Sequence, residues 1–386
     1  MAVTVIENNN KLIQFTKDIN REYVMENMFS PYMGEGLTAV IRLRNELKAG
    51  GEDMNIPLVT RLQGAGVAET TLVGNEEKID NYGMRLRMQW ARNAVVTNKA
   101  ESQKASADIF GLAKPLLSDW GKELQRDEII AALMALPTET LPASSSGTRV
   151  NGIQYDLATA LQRSQWQSDN RDRILFGNST ANIVVTTPAA AGDHAASLLN
   201  VDTANDKFTA TNLSLMKRIA MNADPNIRPY TTDDGYEHFI VCAGTNTFRD
   251  LKISLEGINK DARPREAPGL RNPIFQDGDQ MYDGCIVRMV PQISRFVTNA
   301  WTNLLTAGAS SARVEPVFLL GQQAAVVGWG QMARPTFRKE DDYGFITGTG
   351  IEMAYGIAKM FKKHPNTSTI LKQWGVVTGF FASASD

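Results

Sequence analysis

The sequence predicts an α+β fold with a mixed or antiparallel sheet. Three observations predict it. Residues 55–98 form a long ribbon of alternating polarity, and alternation with period two is the mark of a strand. Residues 99–136 carry a one-sided apolar stripe, which is the mark of a long helix. From residue 207 onward the patterns run helix, strand, helix, strand, and the chain closes on strands, an order that suits segregated helices and sheet.

Residues 1–54 are polar with short amphipathic pieces. Leu12, Phe15, Ile19 and Tyr23 have helical spacing, and Pro31 ends that run. The stretch GLTAVIRLRNELKAGG reads as a second helical piece that stops at Gly50-Gly51. Both read as an arm that packs on something else. In the ribbon, Ile56, Leu58 and Leu62 alternate with Val59, Arg61 and Gln63. On the return, Met84, Leu86, Met88 and Trp90 face one way, and Arg85, Arg87 and Gln89 the other. Gly64, Gly66, Gly74 and Gly83 lie between, over a span too long for a two-residue turn. An isolated two-stranded hairpin is marginal in water. Its apolar side therefore needs cover, from the rest of the chain or from another chain.

The helical stripe runs through Ile109, Ala113, Leu116, Leu117, Trp120, Leu124, Ile130, Leu133 and Met134. Pro115 marks a kink or a start, and the part beyond it would span roughly 30 Å. Residues 137–206 read as a loop over PTETLPASSSGTRVNG and a helix within TALQRSQWQSDNRDRILFG, with Asp172 and Arg173 near its end. An exposed excursion then follows over NSTANIVVTTPAAAGDHAASLLNVDT. Next come a helix over TATNLSLMKRIAMNA with Thr211 or Asn212 near its cap, a strand at HFIVCAG and a helix from the Thr/Asn cluster at 245–247. A Pro-rich charged loop precedes a strand at CIVRMVPQI, and RVEPVFLLGQQAAVVGWG reads as a strand followed by a small-residue segment.

The 386 residues suffice for two or three domains, and 43% hydrophobic with 21% charged residues is ordinary for a globular chain. A net charge of −2 lacks the basic excess of a dedicated nucleic-acid binder. Cys242 and Cys285, the only cysteines, sit in apolar strand patterns and read as two free buried thiols in a reducing compartment. No basic and apolar leader opens the chain, and no apolar run approaches the ~20 residues of a membrane helix, so a soluble protein made in a cytoplasm is expected.

No reactive constellation emerges. His194, His238 and His364 are too scattered for a metal pair. Gly121-Lys122 is followed by Glu and makes no phosphate loop. GTGIEMAYG has Met353 where a dinucleotide fingerprint needs its third glycine. Asp277, Asp279 and Asp283 could surround a cation, but Met281 stands where an EF-hand needs a ligand, and a solvated turn is the simpler reading. No cofactor, no metal and no catalytic residue is assigned, and a structural protein is expected ahead of an enzyme.

The stretches RLQGAGVAETTLVGNEEKIDNYGMRLRMQWARNAV, LRNPIFQDGDQMYDGCIVRMVPQI and LLGQQAAVVGWG, together with the order arm, ribbon, long helix and mixed remainder, resemble the major capsid proteins of tailed bacteriophages with the Hong Kong 97-type fold. Within that family the chain is similar to the N-four podovirus group. The resemblance implies an N-terminal arm at 1–54 and an extended loop at 55–98 that reaches over a neighbouring subunit. It implies a peripheral domain at 99–230 and 355–386 whose spine is the helix 99–136, and an axial domain at 231–354. It implies pentamers and hexamers of one chain in an icosahedral head, loose contact with double-stranded DNA, and scaffolding, portal and decoration proteins as partners. It also implies that the ribbon's cover is another copy, across an interface on the order of 2,000 Å² or more. Arg61, Glu69, Glu76, Glu77, Arg85, Arg87, Trp90 and Arg92 are then the candidate intersubunit residues, with arginines opposite glutamates for register. An encapsulin-like compartment shell or another virion structural protein, and a cytosolic α+β enzyme, are the alternatives; particle contents separate the first, and size-exclusion chromatography the second.

Overall fold

The computed structural model describes residues 28–59, 62, 66–68, 71–73, 75–77, 81–100, 113–185, 193–232, 235–262, 275–276, 279–338, 343, 345–364 and 367–383. In chain order the strands are β1 (Met33–Gly34), β2 (Ile41–Arg44), β3 (Asp53–Val59), β4 (Asn81–Arg87), β5 (Gln89–Asn98), β6 (Val150–Asn151), β7 (Ile174–Phe176), β8 (Tyr230–Thr231), β9 (Glu237–Ala243), β10 (Phe275–Gln276), β11 (Asp279–Tyr282), β12 (Cys285–Met289), β13 (Val314–Leu320), β14 (Ala325–Phe337), β15 (Ile346–Lys359), β16 (Phe361–His364), β17 (Thr367–Gln373) and β18 (Val376–Ala382). The helices are α1 (Ala113–Met134), α2 (Ala160–Asp169), α3 (His194–Leu199), α4 (Ala210–Asn222), α5 (Thr245–Ala262) and α6 (Pro291–Asn299).

The chain divides into two compact units. The larger comprises Met28–Trp90, Arg126–Gln331 and Ala354–Asp386. At its heart lies a sheet in the order β10-β11-β12-β9-β13-β18-β7, with β8 beside β9. β12 runs parallel to β9 and β7 parallel to β18, while β13 is antiparallel to both of its neighbours. The sheet is therefore mixed. β13 and β18 are buried at all seven positions each, which explains their unbroken apolar runs: a strand covered on both faces has no polar side to alternate with. Leu213, Met216 and Ala220 of α4 and Leu251 and Leu255 of α5 pack on this sheet with Val241, Val317, Val377 and Phe381. Besides Thr378 in β18, the polar exception is Glu315 in β13. It is wholly buried, and Arg313, Asn246 and Ser294 satisfy its carboxylate, as a buried charge requires.

The smaller unit comprises Met1–Asn27, Ala91–Gln125 and Met332–Met353. Among its described residues, Lys114 stands 5.1 Å over the Phe337 ring. Gly350 lies where a Cβ would meet Thr336 Oγ1 at 2.9 Å and the Asn93 carbonyl at 3.0 Å. α1, β5, β14 and β15 each continue from one unit into the other.

Several expectations are corrected. Residues 36–51 are not a helix: Ile41–Arg44 form β2, and only Glu46–Ala49 make a short 3-10 turn. Ile41 and Leu43 alternate with Arg42 and Arg44, and that period-two pattern prevailed over the helical reading. The helical piece expected over Leu12, Phe15, Ile19 and Tyr23 falls outside the described residues. α1 has Pro115 at its third position, where the missing N–H leaves no helical bond unmade. Its 22 residues span about 33 Å. The excursion expected over residues 178–203 is only partly exposed: Asn178, Thr180, Ala181 and Val185 are exposed, His194, Ser197, Leu198 and Val201 are buried, and residues 186–192 lie outside those described. Thr159 caps α2, and Asp193, within the stretch read as excursion, caps α3. α4 is capped by Thr209 rather than by Thr211 or Asn212. The strand at 285 stops at Met289, and Pro291 opens α6. The small-residue segment after β13 is itself strand, the first part of β14.

Candidate intersubunit ribbon

β3 and β4 form an antiparallel hairpin with Asp53 opposite Arg87, Ile56 opposite Met84 and Val59 opposite Asn81. Alternation sends Met54, Ile56, Leu58, Met84 and Leu86 to one face, where all are buried. The expectation that this face awaits another chain is corrected here. Val326, Ala358, Met360 and Phe361 of the same chain cover it, with Tyr82, Met88, Leu371 and Trp374 at the margin. The cover comes from residues some 240–310 positions downstream, so local sequence could not display it. The expected return strand is also shorter. β4 ends at Arg87, and Gln89 begins a separate strand, β5, that does not pair with β3. Facing changes at this break: Trp90 is 51% exposed and Ala91 is buried.

The opposite face of the root holds a charge clamp. Arg87 donates from Nε to Asp53 Oδ1 at 2.7 Å and from Nη2 to Oδ2 at 3.0 Å. Arg85 reaches Oδ2 diagonally at 2.7 Å. Arg87 Nη1 also donates to the Pro142 carbonyl at 2.9 Å. Hydrogen bonds from Arg87 hold the Asp53 carboxyl below the usual carboxylate range, and Arg85 adds to the effect. Asn151 grips the main chain of the same residue, accepting from Arg87 N at 3.0 Å and donating to its carbonyl at 2.8 Å. Asp53 and Asn151 were missed at the sequence level. Asp53 carried a findable signal, because Asp-x-Asn facing Arg-x-Arg is a cross-strand charge pattern. Asn151 carried none.

The described part of the tip is a small built turn. Val73 N donates to Thr71 Oγ1 at 3.2 Å, Asn75 N to the Leu72 carbonyl at 3.0 Å and Asn75 Nδ2 to the Thr71 carbonyl at 2.9 Å. At its apex Leu72 and Val73 stand 67% and 79% exposed, and Leu62 is bare as well.

Of the predicted intersubunit residues, Arg61 and Glu69 lie outside the described residues. Glu76 and Glu77 are exposed beside the apex. Arg85 and Arg87 are at the root, bonded to Asp53 of their own chain. Trp90 is exposed, and its carbonyl accepts from Arg149 Nη1 at 3.2 Å. Arg92 is exposed on β5. The structure thus separates them into a tip group and a root group.

Other sequence candidates fall to structural roles. His194 is buried between Tyr155 Oη at 2.9 Å and Gln167 Oε1 at 3.2 Å, and burial pushes its pKa down to about 3. Asp283 bonds Lys217 and Ser214, Asp277 lies outside the described residues, and Asp279 belongs to β11. No group of three or more metal-ligating residues occurs among the described residues. Cys242 and Cys285 are free and buried, and burial pushes the Cys285 thiol up to about 12. No helix among the described residues is long and apolar enough to cross a membrane.

A family model described as phage capsid protein matches residues 7–378. Among solved structures, the capsid asymmetric unit of cyanophage Pam1 is similar over 100% of both chains, at 32% identity and a TM-score of 0.83. The capsid of Ralstonia phage GP4 is similar over 100% of this chain and 99% of the other, at 18% identity and a TM-score of 0.67. The head of Helicobacter pylori bacteriophage KHP40 is similar over 98% and 96%, at 14% identity and a TM-score of 0.64. No curated protein sequence matches. The α+β architecture is the Hong Kong 97-type capsid fold expected from the ribbon and helix order, and the chain belongs to the phage capsid protein family.

Proposed function

We propose that this chain is the major capsid protein of a tailed phage and that copies of it assemble as pentamers and hexamers into an icosahedral head around double-stranded DNA. The whole-length likeness to the cyanophage Pam1 capsid carries the reading. The ribbon supports it locally. Its root is fixed to its own chain by an apolar core and the Asp53 clamp, while its apex holds two apolar side chains in water. Such an arrangement suits an element that is aimed by one subunit and used by the next. An encapsulin-like shell is not favoured by the family match.

In this reading residues 1–54 act as arm, 55–98 as extended loop, 99–230 with 355–386 as peripheral domain and 231–354 as axial domain. The role is structural and not enzymatic. The chain is made in the host cytoplasm, and scaffolding, portal and decoration proteins join it there. Contact with the packaged DNA is loose and independent of sequence, which suits a net charge of −2.

Deleting residues 64–76 tests the ribbon's part. The expected product melts as a folded monomer and forms no closed particles by negative-stain microscopy. Closed particles from the deleted chain would remove the ribbon from assembly.

A further inference from the structure

We propose that a pocket beside β3 binds a nucleotide-sized organic phosphate, its phosphate on Arg42 and Arg228 and its ring portion against Val59, Met221 and Trp374. The pocket lies within the larger unit and holds about 830 Å³, inside the range of roughly 300–1,000 Å³ typical of small-molecule sites. A bare inorganic anion would fill a small part of it. Its lining is mixed, with apolar surface from Leu37, Val59, Met221 and Trp374, so the ligand it suits is one with a charged end and an apolar body.

The charged end must be negative. Arg42 and Arg44 share one face of β2, and Glu46 beside them is bonded to Arg44 at 2.8 Å. Arg42 is left with the surplus charge. Its Nε is buried with no hydrogen-bond partner among the described residues. Burial and the Arg44 guanidinium lower its pKa from the ordinary arginine value, and Glu46 offsets this only in part. A charge partly stripped of water gains more from an incoming anion than a hydrated one does. Arg228 is exposed on the loop after α4. Lys217, engaged by Asp283, and Lys362, 5.4 Å over the Trp374 ring, add positive charge. Of the acidic lining residues, Glu237 is exposed and Asp224 acts on the buried Arg173 guanidinium. Two guanidinium forks from different walls match the several oxygens of a phosphate better than the two of a carboxylate.

The walls are fixed by bonds that no ligand supplies. Arg173, wholly buried, donates to the Trp374 carbonyl at 2.8 Å and to the Pro225 carbonyl at 2.7 Å. Gln322 N donates to the Arg228 carbonyl at 2.8 Å, and Gln323 Nε2 to the Leu37 carbonyl at 3.0 Å. Little main-chain freedom is therefore lost on binding. The site draws on β2, β3, α4 and the segments around Arg228 and Trp374. A ligand that spans them binds the folded chain alone, so it raises stability by mass action. The inference is independent of the capsid reading.

Calorimetric titration of the full chain with adenosine monophosphate tests it, beside inorganic phosphate and a short DNA duplex at one ionic strength. The nucleotide is expected to bind saturably and to raise the melting temperature, and inorganic phosphate to bind at least tenfold more weakly. Arg42→Gln and Arg228→Gln are each expected to weaken nucleotide binding at least tenfold. Arg218→Gln, the same charge change at an exposed site outside the pocket, is expected to leave it within twofold. Arg228 is exposed, so its variant decides the matter even if Arg42→Gln does not fold. Met221 is 54% exposed, and Met221→Ser is expected to weaken the nucleotide at least threefold while leaving inorganic phosphate unchanged. No nucleotide binding, an equal loss from Arg218→Gln, or equal affinity for nucleotide and inorganic phosphate overturns the site. Binding of the duplex through the same arginines without binding of the nucleotide also overturns it. Each of these results leaves the capsid reading standing.

Discussion

Lys359 lies almost wholly buried, donating to the Leu133 carbonyl at 3.1 Å and standing 5.0 Å from the Trp166 ring. A carbonyl and a ring face compensate an ammonium only in part, so burial pushes its pKa down to about 7. The unfolded chain holds that proton to about pH 10.4. Between those values the unfolded state binds more protons, so stability rises with pH across the window and the full penalty is present below about 7. Lys359→Met is therefore expected to melt above the unmodified protein at pH 7, with the gap narrowing toward pH 10. Thermal melts at the two pH values check it. Asp53 behaves in the opposite sense. Its folded pKa is depressed by Arg87 and Arg85, so its contribution is present above the ordinary carboxylate range and is lost as pH falls through the folded value. Asp53→Asn is expected to speed amide exchange in β3 and β4 at pH 7, after correction for intrinsic rates. The unmodified ribbon is expected to reach comparable exchange only below about pH 4.

The ribbon, taken as an element, meets the rest of its chain at two glycines. A Cβ at Gly356 in β15 would come within 2.2 Å of the Arg87 carbonyl, and one at Gly330 in β14 within 2.1 Å of Met88 Sδ. The second obstacle is a flexible side chain that can swing aside. The first is backbone, pinned by Asn151. Gly356→Ala is accordingly expected to cost about 1–3 kcal/mol, measured by denaturant unfolding, with Gly330→Ala milder. Much of this element was legible in advance. The alternation of Met54, Ile56 and Leu58 against Met84 and Leu86 is local, and it emerged as the buried face. Its cover was not legible, because Val326, Ala358 and Met360 are brought there by tertiary folding alone. The bonds of Arg85 and Arg87 to their own chain were not legible for a related reason. Asp53 sits just outside the span read as ribbon, and cross-strand register, which places it opposite Arg87, is fixed only once both strands are aligned.

For the whole molecule, fold class and capsid family were within reach of the sequence because they rest on the order of large patterns. The packing of 137–206 was not, since a helix as short as His194–Leu199 shows no clear period and its buried partners are distant in sequence. The mixed sheet has one further consequence. β18 lies between β13 and β7, although β7 precedes it by about two hundred positions. While the polypeptide is being translated, Phe176 lacks its strand partner Phe380, and the β13 edge lacks its antiparallel partner, until Val376–Ala382 leaves the ribosome. At about 5–20 residues per second, the interval between Leu320 and Ala382 lasts on the order of 3–12 s. A nascent copy is thus held unfinished until synthesis has passed β18, which keeps half-made subunits out of a growing shell and leaves their open strand edges for chaperones to guard.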